Sequence, residues 1–414
     1  MKRKKIAILG GGPEQIVAVE TASKLGYETV VVDDNPEAVA QEVADSFICT
    51  RIKDVDGLIE ALKPYGISGV MTHAAELAVE VARVADAFGL PGLTVESAEL
   101  GTYKHLRIGR FKEHGLNIPA YAVLKGDDSQ EEWTRAGASL RYPLVAKPTD
   151  GKGATGVLLI KNEAEILDYY NGTRAQLAST YYLLEEYLTG IQLSTESILI
   201  EGRPLRHSMA YRHYEGMERF HPYFIEDGHS MPVDIDESLR ARVEAAIEAS
   251  ALALGVQGGV VKGDILIDKD GTVYIIEMAV RSSGGRFADF VTVEQCGVDI
   301  LHAMVQIAMG EEVDTECLTE RFSKGVSQRF IFLEEGTGIE QMPALDDIRS
   351  TVGVLDMVIS DRFMSELRQE PVTSHQDRIG YVICGADDRA EADRLALEVC
   401  NIIKTRMLSS TGGV

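Results

Sequence analysis

Two apolar runs, Val260–Ile267 and Val273–Met278, flank the dipeptide Asp270-Gly271. That pattern specifies a β-hairpin, since Asp-Gly is among the strongest short-range signals for a tight turn between two strands. Asp264 on one strand and Glu277 on the other can then face each other on one side of the sheet. A plain surface hairpin accounts for Asp270. It accounts badly for Glu277, which ends the apolar stretch Val273–Ile276. Two facing carboxylates, joined by phosphate oxygens of a ligand, would supply the oxygen-rich octahedron that magnesium takes. Arg281, just beyond Glu277, is placed to clamp a transferring phosphoryl group or an acyl phosphate.

Upstream, the segment Tyr142–Val157 reads as a strand ending at Lys147, a break at Pro148, and a loop containing Gly151, Gly153 and Gly156. Such glycines let backbone N–H groups approach phosphate oxygens closely, and Lys147 would add positive charge there. No GK[ST] opens a helix, so the loop is not a Walker A sequence, and a plain glycine hairpin is its bland alternative. Lys104, within the helix-like Ala98–Arg110, could reach the same phosphates. The apolar strand Tyr182–Leu188 runs into Glu185 and Glu186 and could form a slot for an adenine ring covered by Leu184 and Leu188. Weaker candidates are the polar and aromatic cluster Tyr211-Arg212-His213-Tyr214 with Arg219-Phe220-His221, and His73 with Glu76 after a strand end. For these, a solvated loop is the competing explanation.

Taken in order and spacing, Lys104, the Lys147 strand with its glycine loop, the Glu185-Glu186-Tyr187-Leu188 strand end and the Glu277…Arg281 hairpin resemble the ATP-grasp superfamily. The stretch Arg281-Ser282-Ser283-Gly284-Gly285, with Glu226, Gly228, His229 and Pro232, is similar to L-amino acid ligases and their carbamoyl-phosphate-synthase-like relatives. The segment Arg378–Val382 resembles the extra C-terminal domain of those ligases. The resemblance implies that Lys104 and Lys147 bind ATP phosphates and that Gly151, Gly153 and Gly156 close over them. It further implies that Glu185, Glu186 and Leu188 border the adenine, and that Asp264 and Glu277 hold Mg2+. Arg281 would handle the acyl phosphate, with Ser283, Gly284, Gly285 and His213 near the substrate. Two departures stand out. Many relatives have Asn two residues past the magnesium glutamate, where this chain has Ala279, and many have Glu at the position of Asp264. Ala279 removes one metal ligand.

The remaining chain supplies the frame. Ile6–Leu9, the Gly10-Gly11-Gly12 turn, the helix Glu14–Leu25, the strand Thr29–Val32, the strand Ser68–Thr72 and the helix Glu76–Phe88 alternate as parallel α/β units do. A dinucleotide fingerprint fails, because counting GxGxxG from Gly10 places Gln15 at the third glycine. Longer, turn-separated strands follow: Leu144–Pro148, Gly156–Lys161, Tyr182–Tyr187 and Thr195–Ile200, with the helix Asp236–Gly255 before the hairpin. The last part carries Gln328–Leu333, Val354–Ile359, Ile379–Cys384 and a closing helix, Asp388–Met407. The expected fold class is α/β and α+β: an ATP-grasp fold with an N-terminal Rossmann-like pre-ATP-grasp domain over 1–100. The ATP-grasp domain covers 101–322, with a lid at about 121–188, and a small C-terminal α+β domain covers 323–414.

A length of 414 residues suits two or three packed units. The net charge of −24, spread along the chain, repels phosphate backbones, so nucleic acid and anionic membranes are poor partners, although solubility alone explains it. Five scattered cysteines without CxxC spacing fit reduced cytosolic thiols. The basic start, Met1–Lys5, precedes no secretory apolar region, and no apolar run reaches the roughly 18 residues of a membrane span. The expectation is a cytoplasmic, ATP- and Mg2+-dependent carboxylate–amine ligase, a homodimer acting on small molecules through an acyl phosphate. Its rivals are a carboxylating or formylating enzyme using bicarbonate or formate, a nucleotide-binding protein without turnover, and a nicotinamide oxidoreductase.

Overall fold

The computed structural model describes residues 3–340, 342 and 345–407; Met1 and Lys2 of the basic start lie outside them. The first sheet is parallel, in the order β3-β2-β1-β4, from β1 (Lys5–Leu9), β2 (Glu28–Asp33), β3 (Ser46–Cys49) and β4 (Gly69–Met71). Its strands are apolar on both faces because helices cover both, as buried parallel sheets require. The first helix opens with a 3-10 turn, Pro13–Gln15, and continues as Ile16–Lys24. Proline suits that start, where its missing N–H would be unpaired anyway.

The lid sheet is antiparallel, in the order β5-β8-β6-β7, from β5 (Tyr121–Lys125), β6 (Leu144–Pro148), β7 (Leu158–Ile160) and β8 (Tyr181–Glu186). It closes on its own core, in which the fully buried Trp133 meets the rings of Tyr169 and Tyr182 at 5.8 and 5.3 Å.

The largest sheet has eight strands in the order β13-β12-β9-β10-β11-β14-β16-β15. They are β9 (Ile191–Ile200), β10 (Arg203–His213), β11 (Gly228–Met231), β12 (Gly259–Ile267), β13 (Val273–Ala279), β14 (Gly325–Phe332), β15 (Val354–Ile359) and β16 (Arg378–Ala386). The hairpin read from Asp270-Gly271 is β12–β13. The final α+β unit has its own core around Met357, Val382 and Val399, yet β14 pairs with β11, so its strands continue this sheet. The helix Ile300–Ala308 ties the first sheet to the large one through a core shared by Ile6, Leu301, Val305 and Ile198. Sites on the two sheets are therefore held in one frame. Among the described residues no helix is long and apolar enough to cross a membrane.

Two local expectations change. Ala98–Arg110 is two helices, Val95–Thr102 and Lys104–Glu113, broken at the extended Tyr103, so Lys104 opens a helix rather than riding inside one. Gly156 and Val157 stay outside β7, because Gly156 has φ +71, a left-handed conformation that leaves a strand.

Candidate active site

The three sheets meet around a cavity of about 1130 Å³. Lys104, Lys147, Gly151, Gly153, Glu185, Glu186, Leu188, Asp264, Glu277, Arg281, Ser283, Gly284 and Gly285 all line it. Residues read as candidates along nearly 200 positions thus share one space.

On the lid side, Lys104 Nζ donates to the Gly151 carbonyl at 2.8 Å and lies 3.6 Å from Glu277. Lys147, buried at the end of β6, pairs with Glu185 of β8 at 2.5 Å. The glycine loop touches the C-terminal unit, where the His375 backbone N–H donates to the Gly153 carbonyl at 2.9 Å. Gly156 does not line the cavity. Tyr169 donates to its carbonyl at 2.9 Å, and a Cβ there would sit 2.2 Å from Leu177, so this glycine serves loop packing. Val145, Val157, Tyr187, Leu188, Leu266 and Ile276 form an apolar slot between lid and hairpin. Leu184, expected to cover a ring there, is fully buried in the lid core, since strand alternation turns it away. The Glu186 carboxylate leans outward to the Arg141 N–H at 2.9 Å and its guanidinium at 3.0 Å.

Asp264 and Glu277 are direct cross-strand partners, although the register running from the Asp270-Gly271 turn pairs Ile265 with Ile275 and would set Asp264 opposite Ile276. A bulge beside this pair leaves Ile276 unpaired, and both Ile276 and Glu277 line the cavity. Each carboxylate is matched by cations: Asp264 by Arg212 at 2.6 Å and by Lys262, Glu277 by Arg107 at 3.1 Å and Lys104. Burial alone would raise Glu277, but Lys104 and Arg107 hold it well below the usual carboxylate range. Two carboxylates on one face, open to the cavity, fit a magnesium ion. Among the described residues no group of three or more His, Cys, Asp or Glu side chains could hold a metal, so nucleotide oxygens and water would complete the shell. Ala279, also lining the cavity, offers no ligand and faces Lys262 across the ladder.

The loop after β13 is fastened from four directions, two of which the sequence reading missed. Glu76 holds the Arg281 guanidinium, with Nε at 2.9 Å. Burial would raise Glu76 and lower Arg281, and their pairing reverses both shifts. His73 Nδ1 meets Ser282 Oγ at 2.9 Å while its other ring nitrogen lies 3.9 Å from Asp289. The Ser283 N–H donates to both oxygens of Glu196, at 3.1 and 3.2 Å. The Gly285 N–H donates to Glu14 at 2.5 Å. Glu14 and Glu196 had no motif to announce them; each is an isolated acid whose partner lies far along the chain.

Arg212 and Tyr214, not His213, are the members of the Tyr211–Tyr214 cluster that face the cavity. Alternation along β10 turns His213 away from the cavity, to Ser230 at 3.0 Å and Asp393 at 3.6 Å. Arg212 bridges Asp264 and Glu226, the latter at 2.9 Å. Burial alone would raise Glu226, but Arg212 keeps it well below the usual range.

The chain is similar to known proteins in sequence and in fold. Residues 140–290 match the ATP-grasp domain and residues 3–77 match the ribonucleotide synthetase preATP-grasp domain. The chain thus contains an ATP-grasp domain, preceded by a preATP-grasp domain. It is 24% identical over 337 residues to a carbamoyl phosphate synthase large chain of Clostridium beijerinckii, covering 75% of this chain and 29% of that protein. The chain therefore spans about a third of the length of the curated relatives it matches. The crystal structure of an L-amino acid ligase from Bacillus licheniformis superposes with a TM-score of 0.80 at 20% identity, covering 97% of this chain and 98% of that one. The biotin carboxylase domain of Hydrogenobacter thermophilus 2-oxoglutarate carboxylase, in complex with MgADP, ADP and bicarbonate, superposes with a TM-score of 0.71 at 18% identity. That match covers 98% of this chain and 94% of that one. At these identities the structural likeness speaks for the fold.

Proposed function

We propose that this protein is an ATP- and Mg2+-dependent carboxylate–amine ligase. The observation that carries the reading is convergence: Lys104, Lys147, Asp264, Glu277 and Arg281, from separate segments, line one cavity beside an apolar slot. ATP would lie with its base in the slot between Tyr187, Leu188, Leu266 and Ile276, and its phosphates toward Lys104, Lys147, Gly151 and Gly153. Asp264 and Glu277 would hold magnesium, which offsets charge on the phosphates. A substrate carboxylate oxygen attacks the γ-phosphorus and ADP departs, leaving an acyl phosphate. An amine nitrogen then attacks the acyl carbon, the C–O bond to phosphate breaks, and the amine proton passes to solvent or phosphate. Arg281 neutralises the phosphate in both steps, and the glycine loop shields the intermediate from water.

The same reading assigns 1–100 to the pre-ATP-grasp unit, 101–322 to the ATP-grasp domain with a lid at about 121–188, and 323–414 to the C-terminal unit. It also makes the protein a homodimer acting on small molecules. Its five unbridged cysteines suit a reducing cytoplasm.

Phosphate release from ATP is the test, with amino acid pairs in one set of wells and bicarbonate or formate in parallel wells. Glu277→Gln, which keeps the side chain's shape beside Lys104 and Arg107, should lower turnover at least about a hundredfold in a folded protein. Full turnover in that variant refutes the assignment, and release that needs a one-carbon acid moves the protein to the carboxylating or formylating branch.

A further inference from the structure

The hairpin β12–β13 sets four side chains in a square on its cavity face. Strand alternation puts Lys262 and Asp264 on one side of β12, and Glu277 and Ala279 on the same side of β13. The register pairs Asp264 with Glu277 and Lys262 with Ala279, and all four line the cavity. Directly opposed residues of this kind have Cβ atoms roughly 5 Å apart, well within the reach of a lysine side chain. Three corners carry charge, and the fourth is a methyl group.

The charges of the square already engage one another. Lys262 Nζ pairs with Asp264 Oδ1, while Arg212 holds Oδ2 at 2.6 Å. One carboxylate thus meets two protein cations. The ion pairs of Glu277, with Arg107 at 3.1 Å and Lys104 at 3.6 Å, both fall on Oε1, which leaves Oε2 for a metal. Lys262 also acts on Glu277 through space. Each carboxylate oxygen has two lone pairs, so Asp264 can still join Glu277 around one ion. A second divalent ion is a different matter. It would need oxygen donors on the Lys262–Ala279 side of the square, where Ala279 has none to give and the Lys262 ammonium repels it.

We infer that the Lys262 ammonium takes the place of a second divalent cation, so that the protein loads one magnesium ion with its nucleotide. Lys262 then supplies the other positive charge to the phosphate oxygens. Phosphoryl transfer needs cations beside the phosphates, and one that is part of the chain is present at every turnover. An ammonium has three N–H donors, so some remain for phosphate after Asp264 is served. This inference rests on the ligase reading and specifies how its phosphate site is charged.

Counting bound Mn2+ by electron paramagnetic resonance tests it without turnover, with one equivalent of a non-hydrolysable ATP analogue per chain. The unmodified protein should take up one Mn2+ tightly, with any second ion at least about tenfold weaker. Lys262→Met keeps the side chain's length, removes its charge and should strengthen the second ion at least about tenfold. Adding Ala279→Asn to that variant supplies an oxygen donor and should tighten the second ion further. Two Mn2+ of equal affinity on the unmodified protein overturn the inference, whether or not the variants fold, and leave the ligase reading intact. A single Mn2+ on the folded double variant also overturns it, because Lys262 then blocks nothing. Failure of the unmodified protein to bind either the analogue or Mn2+ sinks the ligase reading, and the inference with it.

Discussion

Replacing Glu196 with glutamine separates the electrostatic cost of a buried carboxylate from its use as a hydrogen-bond acceptor. Glu196 sits on β9, fully buried, and accepts the Ser283 N–H with both oxygens. Burial pushes its pKa up to about 7 from the ordinary 4.5, a rise that the Ser283 hydrogen bond only partly offsets. Between these two values the folded protein keeps a proton that the unfolded chain has released, so stability falls as pH rises from about 4.5 to 7. At 1.36 kcal/mol per unit the full penalty is roughly 3 kcal/mol above pH 7. Glutamine removes it but keeps one acceptor for Ser283, giving back about 1 kcal/mol. The net gain of about 2 kcal/mol corresponds to a rise of about 2 °C in Tm, with an unfolding entropy of roughly 0.9 kcal/mol/K for a chain of this length. Thermal unfolding of both proteins from pH 5 to pH 8 is the assay. The Tm difference should be near zero or slightly negative at pH 5 and should grow in favour of Glu196→Gln toward pH 7.5. A difference independent of pH would show that Glu196 is not the group that titrates, and the burial argument would fail.

Ala279→Asn adds an oxygen ligand beside Asp264 and Glu277; it should lower the Mg2+ concentration for half-maximal turnover several-fold, and an unchanged magnesium titration would remove Ala279 as the limit on the metal. Trp133→Ala empties the centre of the lid core and should cost about 3–5 kcal/mol, read as a lowered Tm together with weaker ATP binding. A Tm change without any effect on ATP binding would show that the lid core does not support the nucleotide slot.

The hairpin shows how far sequence alone reaches. Asp270-Gly271 between two apolar runs specified the turn and the register from Ile267–Val273 to Ile265–Ile275, and a bulge that no residue announced then brought Asp264 opposite Glu277. Lys147 and the glycine loop were legible for the same reason: a strand end, a breaker and glycines act locally. Alternation also decides what a strand shows to each side, but only once one residue's direction is known. Arg212 and His213 are adjacent in sequence, and nothing local says which meets the cavity; the packing of β11 and the final helix decided for Arg212. Lys104 was recognised, whereas the helix break at Tyr103 that aims it was not, because the nearest glycine, Gly101, still lies inside the first helix and no proline follows. What lay beyond reading was the contact that each carboxylate makes with the Arg281 loop. Glu14, Glu76 and Glu196 meet it across separations of 271, 205 and 87 residues. The sequence by itself determined the local elements and the chemistry they offer. Only the tertiary structure decided which charges neutralise one another within the protein, because that depends on contacts between distant segments.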